Sequence, residues 1–162
     1  MRRELRREVP GPGQESVWDY PRPPALVRSD RRVVVRREGE LVAETTHAFR
    51  VLETSHPPTW YVDPADVVPG AIARSDARST WCEWKGAATY WDVLGLSSGA
   101  WSYEDPTPGF TDLRGYLAFS PGRLECFVDD ERVRPQDGGF YGGWITDDVV
   151  GPFKGAPGTL GW

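Results

Sequence analysis

The 162-residue chain has little of several residue types that specify chemistry. It holds two cysteines (Cys82, Cys126), two histidines (His47, His56), one methionine and, among 19 basic residues, two lysines (Lys85, Lys154). So few cysteines exclude a disulfide-rich scaffold. The Cys and His positions show no paired spacing such as C-x2-C, so no zinc site is expected. No cofactor is implied. With two histidines, a Ser-His-Asp hydrolase has few ways to assemble. No apolar run approaches the roughly 18 residues of a membrane span. Residues 1–13 carry arginines with no apolar stretch behind them, so no secretory signal is expected and the cytoplasm is the default location. Net charge is −5, which argues against a nucleic-acid binder, because such proteins need a basic face to neutralise phosphates.

What is present is aromatic and turn-forming. Eight Trp, six Tyr and six Phe accompany 18 Gly and 15 Pro. Disordered chains lack such aromatics, and this much Gly and Pro breaks long helices, so short strands joined by turns are expected. Residues 1–16 have mixed charge and end in PGPGQES; they read as a disordered tail, with a single β-rich domain over 17–162. The run Val33-Val34-Val35, a turn at 38–40 and the returning 41–45 segment read as a hairpin. LSSG at 96–99 reads as another tight turn, 113–119 as a strand, and 123–133 as a hairpin turning at Asp129–Asp130. Short helical turns are expected near 64–68, with Asp63 as cap, and near 107–113. The Gly-rich end of the chain carries Phe140, Tyr141, Trp144, Phe153 and Trp162. A flexible linker would lack these anchors, so an ordered, irregular arm is expected.

No nucleotide-binding motif is present. GFYGGW (139–144) does not open a helix, and nothing matches the phosphate-cradling G-x-x-x-x-G-K-S/T loop. The densest segment, residues 80–95, holds Trp81, Cys82, Trp84, Lys85, Tyr90 and Trp91. A reactive thiolate needs a cationic neighbour. Lys85 reaches Cys82 only if the strand bends or ends at Trp84-Lys85-Gly86; otherwise Cys82 is a structural thiol. His56, before Pro57-Pro58, either orients its turn through a ring hydrogen bond or acts as a base. Cys82 and His56 are thus the candidate catalytic residues. The candidate ligand-binding residues are Lys85 and an aromatic wall of Trp60, Tyr61, Trp84, Tyr90, Trp91, Trp101 and Tyr103. Such a wall suits a planar ligand through stacking or cation–π contacts.

The blocks His56-Pro57-Pro58-Thr59-Trp60-Tyr61, Thr80-Trp81-Cys82-Glu83-Trp84-Lys85-Gly86-Ala87-Ala88-Thr89-Tyr90-Trp91, Trp101-Ser102-Tyr103, Gly115-Tyr116-Leu117-Ala118-Phe119 and Gly139-Phe140-Tyr141-Gly142-Gly143-Trp144 carry a resemblance. In these, from about Val17 to Trp162, the chain resembles a full-length actinobacterial-type member of the family catalogued as domain of unknown function 427. That family is also labelled NTP-transferase 9. The resemblance implies a β-tent fold, two antiparallel sheets packed at an angle with long ordered terminal arms. Many β-tent relatives carry a four-cysteine zinc site, which two cysteines cannot build. The nucleotidyltransferase label finds no clustered carboxylates in this sequence. Three functions remain: a small-molecule binding domain with an aromatic pocket near Lys85, a Cys82-dependent redox or transfer enzyme, and a structural or protein-interaction module. The expected partner is a small molecule, with neither nucleic acid nor a membrane.

Overall fold

The computed structural model describes residues 6–82, 84–138 and 141–162. Among these, sixteen short strands occur with three single-turn 3-10 helices at Val17–Asp19, Pro64–Asp66 and Thr111–Leu113. The protein is mainly β, as its Gly, Pro and β-branched content predicts. No described helix is long and apolar enough to cross a membrane.

In chain order, β1 (Glu15–Ser16) leads through the first 3-10 turn to β2 (Ala25–Arg28). The valine run forms β3 (Val33–Arg37), which returns as β4 (Glu40–Thr45). Their turn residues Glu38 and Gly39 both have positive φ, 49° and 81°, the turn geometry that matches strand twist. β5 (Phe49–Leu52) pairs antiparallel with β2 and with β6 (Thr59–Tyr61), giving a three-stranded sheet. β7 (Ile72–Arg74), β8 (Thr80–Cys82), β9 (Gly86–Val93), β10 (Leu96–Ser102) and β11 (Leu117–Phe119) form a five-stranded sheet in which β7 and β8 both pair with β9. β12 (Glu125–Val128) and β13 (Glu131–Arg132) extend the β3–β4 hairpin into a four-stranded sheet. β14 (Arg134–Pro135) pairs with β15 (Trp144–Ile145), and β16 (Val149–Val150) runs parallel to β1. The expected two sheets are therefore three, with two short ribbons formed by the terminal arms.

Three local differences have simple causes. The β9–β10 turn falls at Leu94–Gly95, with φ of 44° and 84°. The Ser-Ser-Gly cluster expected to turn is instead a bulge, marked by a register shift between Leu96 and Ala100 and by Ser98 at φ 51°; bulges and turns use the same residues. The strand expected over 113–119 shrinks to β11, because Leu113 ends a 3-10 turn and Gly115 sits at φ 74°. Packing also begins upstream of Val17. The Glu8 amide donates to the Gly151 carbonyl at 2.9 Å, the Gly151 amide donates to the Glu8 carboxylate at 2.9 Å, and Tyr20 Oη donates to Glu15 at 2.7 Å.

The main core lies between the four- and five-stranded sheets. Val33, Val35, Val42 and Cys126 pack with Val93, Ala100 and Phe119. Trp60 and Trp144 stack in it, ring centroids 6.2 Å apart, and the Trp144 indole N–H donates to the Phe119 carbonyl at 3.1 Å. The Trp144 amide donates to the Pro58 carbonyl at 2.7 Å, which lays the C-terminal arm along β6. A second core gathers Phe49, Val51, Tyr61, Ala88, Tyr103, Phe110, Leu113 and Ala118. Val62 and Leu117 exchange both backbone hydrogen bonds at 2.8 Å, tying β6 to β11. That bridge brings Tyr61 beneath the five-stranded sheet. Asp63 caps the second 3-10 turn by accepting from the Ala65 amide at 2.9 Å. Glu83, in the central motif, and Phe140, an expected arm anchor, lie outside the described residues, as does Gly139.

Candidate functional site

Strand alternation sorts the aromatics. Side chains one residue apart on a strand point to opposite faces. On β6, Trp60 therefore enters the main core and Tyr61 the second. Tyr90 and Trp101 are direct cross-strand partners of β9 and β10, and both pack against the second core with Cys82 and Trp84. Their neighbours Trp91 and Ala100 face the main core. Trp60 and Trp91, expected on the ligand wall, thus lie elsewhere: Trp60 is sealed against Trp144, and Trp91 donates its indole N–H to Ser102 Oγ at 2.9 Å. The other expected residues, Tyr61, Cys82, Trp84, Lys85, Tyr90, Trp101 and Tyr103, do converge.

The strand carrying Cys82 ends there, and Trp84–Lys85 form the turn into β9. Gly86 opens β9 at φ 104°, and a Cβ on it would stand 3.2 Å from the Asp105 carbonyl oxygen. The loop after β10 clamps this turn. The Thr107 amide donates to the Lys85 carbonyl at 3.2 Å, and Thr107 Oγ1 donates to the Trp84 carbonyl. Lys85 then reaches back, its Nζ 5.5 Å from the centre of the Tyr103 ring.

The Tyr103 ring in turn packs against Tyr61, ring centroids 6.4 Å apart. Tyr61 is fully buried, and its hydroxyl has no hydrogen-bond partner among the described residues. Burial pushes its pKa up; Trp101 and, more weakly, Tyr103 pull the other way as nearby hydrogen-bond donors, and the Cys82 sulfur adds to the rise. Neither of the two meets the hydroxyl in hydrogen-bonding geometry. Tyr103 is shifted upward as well, by burial first and by Tyr61, while the charge of Lys85 opposes the rise. Cys82 is half-buried. Cys126 is sealed in the main core, where burial pushes its thiol up to about 12. The two cysteines belong to different cores, so neither serves the other as a disulfide partner in this arrangement.

A polar network borders this cluster. His56 Nε2 lies 3.4 Å from the Glu53 carboxylate and Nδ1 lies 3.2 Å from Gln136 Nε2. Gln136 Oε1 accepts from the Gly143 amide at 3.3 Å, and Nε2 donates to the Lys154 carbonyl at 2.6 Å. These contacts orient the amide so that Nε2 also donates to His56 Nδ1, leaving the His56 Nε2 proton for Glu53. Both ring nitrogens are therefore engaged. Burial pushes the Glu53 pKa up, but the hydrogen bond from His56, with the charges of Arg22 and Lys85, brings it below its ordinary value. Tyr141 packs its ring edgewise on His56 at 5.2 Å, with Lys154 Nζ 5.9 Å from the same ring. Gly142 lies flat on Trp101: a Cβ there would fall 2.3 Å from the indole. The C-terminal arm thus closes over the aromatic cluster, and only glycine permits so close an approach.

Glu53, Gln136, Tyr141 and Gly142 join the site from positions that sequence reasoning did not select. The interleaving of three glycines with aromatics in 139–144 was the one visible signal. Among the described residues, no three His, Cys, Asp or Glu side chains converge to hold a metal ion. Two open grooves lie elsewhere on the surface. One, of about 600 Å³, runs past Arg28, Arg31, Arg50 and Asp148; the other, of about 610 Å³, lies beside Trp81, Glu104 and Pro106. Neither is lined by Lys85 or Tyr61.

Residues 25–130 match the family model described as domain of unknown function (DUF427). No curated protein matches the chain significantly.

Proposed function

We propose, for a chain that belongs to the family described as domain of unknown function (DUF427), that it binds a small planar molecule at the Tyr61–Trp101–Tyr103–Lys85 cluster. The observation that carries this reading is the Tyr61 hydroxyl, enclosed and, among the described residues, without a partner in hydrogen-bonding geometry. Leaving a buried hydroxyl unpaired costs about 1–3 kcal/mol, and sites built to hydrogen-bond a ligand carry that cost when empty. Trp84, Lys85, Tyr90 and Trp101 are half-buried and supply the outer rim. The rings stack on a flat ligand, Lys85 faces an anionic or carbonyl group, and the Tyr61 hydroxyl meets a polar atom at the inner end.

The test uses small probes. Benzoate, nicotinate and uracil are offered to the wild-type chain, and binding is read by saturation-transfer NMR. Transfer to at least one probe is expected, and its loss in Lys85→Met with an unchanged melting curve. Absence of transfer to all three, or full retention in both Lys85→Met and Tyr61→Phe, sinks the reading.

A second reading, a Cys82-dependent transfer enzyme, draws support from one contrast. Cys82 is half-buried beside the two phenols, whereas Cys126 is sealed. A covalent adduct at Cys82 with an electrophilic planar probe, blocked by prior benzoate, would favour it.

A further inference from the structure

The opposite face of the same sheet carries a feature that the aromatic cluster does not absorb. Trp81 is the cross-strand partner of Ala87 on β8–β9, points away from Cys82 by strand alternation, and is 73% exposed. It walls the groove of about 610 Å³, whose floor is small (Ala87, Thr89) and whose far side is the loop bearing Glu104, Asp105 and Pro106. Among the described residues, no lysine or arginine lines this groove.

Glu104 is held in place. The Trp91 indole N–H donates to Ser102 Oγ at 2.9 Å, and Ser102 Oγ donates to Glu104 Oε1 at 2.6 Å. Ser102 is 1% exposed, so this relay starts inside the protein and ends on a carboxylate at the groove. Among the described residues no arginine or lysine pairs with Glu104, and Asp105 has only Arg114 at 3.8 Å. No cation of the described residues stands over the Trp81 ring, although Trp91, two positions beyond Thr89 on the same face, has Arg74 at 5.9 Å.

From these observations we infer that the groove takes an arginine side chain of a partner polypeptide. The guanidinium plane stacks on Trp81 while its N–H groups meet Glu104 and Asp105. An indole face attracts a cation, and a flat, weakly hydrated guanidinium is the cation that both stacks and donates in a plane. Among the described strands β8 pairs with β9 alone, so its outer edge offers backbone groups to an extended segment carrying that arginine. This site stands apart from the Tyr61 cluster, and its test is independent of that reading.

The experiment titrates the 15N-labelled 162-residue chain with N-acetyl-arginine amide and follows the Trp81 indole N–H, assigned through Trp81→Phe. N-acetyl-citrulline amide, the neutral isostere, and N-acetyl-lysine amide are run alongside. A saturable shift with arginine is expected, at roughly millimolar half-saturation for a single exposed cation–π and ion-pair contact. Citrulline should give little shift. Glu104→Gln should weaken arginine binding about fivefold, and Ser102→Ala, which frees Glu104, about twofold. Trp81 is exposed, so Trp81→Phe should melt as the wild type does. No shift below about 50 mM, well above that expected range, overturns the inference. So does an equal response to citrulline or lysine, or an unchanged affinity in Glu104→Gln.

Discussion

Replacing Tyr61 by Phe removes one oxygen and leaves the ring that packs among Phe49, Ala88 and Tyr103. In most buried tyrosines this change destabilises, because the hydroxyl surrenders a hydrogen bond worth about 1 kcal/mol. Here the hydroxyl is enclosed and, among the described residues, without a partner in hydrogen-bonding geometry, so the substitution chiefly removes a desolvation penalty. The penalty for an unpaired polar group is about 1–3 kcal/mol, and the polar neighbours Trp101 and Tyr103 offset part of it. A net gain of about 1 kcal/mol is expected, which raises Tm by about 2–4 °C in a domain of this size. Urea unfolding followed by tryptophan emission should show the midpoint rise with the slope unchanged. Saturation transfer to whichever of the three probes binds the wild type should fall in the same variant. Gain in stability with loss of binding is the signature of a residue kept for a ligand. A Tm lowered by about 2 °C or more, corresponding to about 1 kcal/mol lost, would refute the reasoning, since it would mean that the hydroxyl is satisfied in the folded protein.

Three further outcomes follow from the same geometry. Gly142→Ala drives a Cβ to 2.3 Å from the Trp101 indole; it should destabilise by about 1–3 kcal/mol and alter tryptophan emission, and an unchanged melting curve would mean that the arm does not rest on Trp101. Thiol titration of the native protein at pH 8 should count one reactive cysteine, Cys82, and two in denaturant, because Cys126 is buried with its thiol pushed up to about 12; loss of the fast thiol in Cys126→Ala instead of Cys82→Ala would contradict this. Glu53 has a folded pKa below its unfolded one, so its contribution is complete above the ordinary carboxylate range and is lost as pH falls through the lowered value. Glu53→Gln should therefore be less stable than wild type at neutral pH, with the gap closing in acid; a gap independent of pH would rule out the ionised carboxylate as the cause.

Much of the strand order was legible because its causes are local. The valine run of β3, the Glu38–Gly39 turn and the Asp129–Asp130 turn act within a few residues, and the structure has all three where the pattern placed them. The β9–β10 turn was misplaced for an equally local reason. Leu94 in a positive-φ conformation gives no sequence signal, and the Ser-Ser-Gly bulge beside it imitates one. The gathering of distinctive residues between His56 and Tyr103 was also readable, as was Lys85, one of two lysines among 19 basic residues.

Which residues share one environment was decided by tertiary structure. Trp60 and Tyr61 are adjacent, yet strand alternation sends one to each core, and only the Val62–Leu117 bridge determines what each then meets. Glu53, His56, Gln136 and Lys154 assemble from three distant segments through hydrogen bonds that no short-range pattern encodes. Gly142 matters because the Trp101 ring lies against it. A sequence specifies alternation and turns through dihedral preferences of single residues, whereas the partner of a buried side chain depends on how whole sheets dock. The environment of Tyr61 therefore exists only once β6, the five-stranded sheet and the terminal arm have closed on one another.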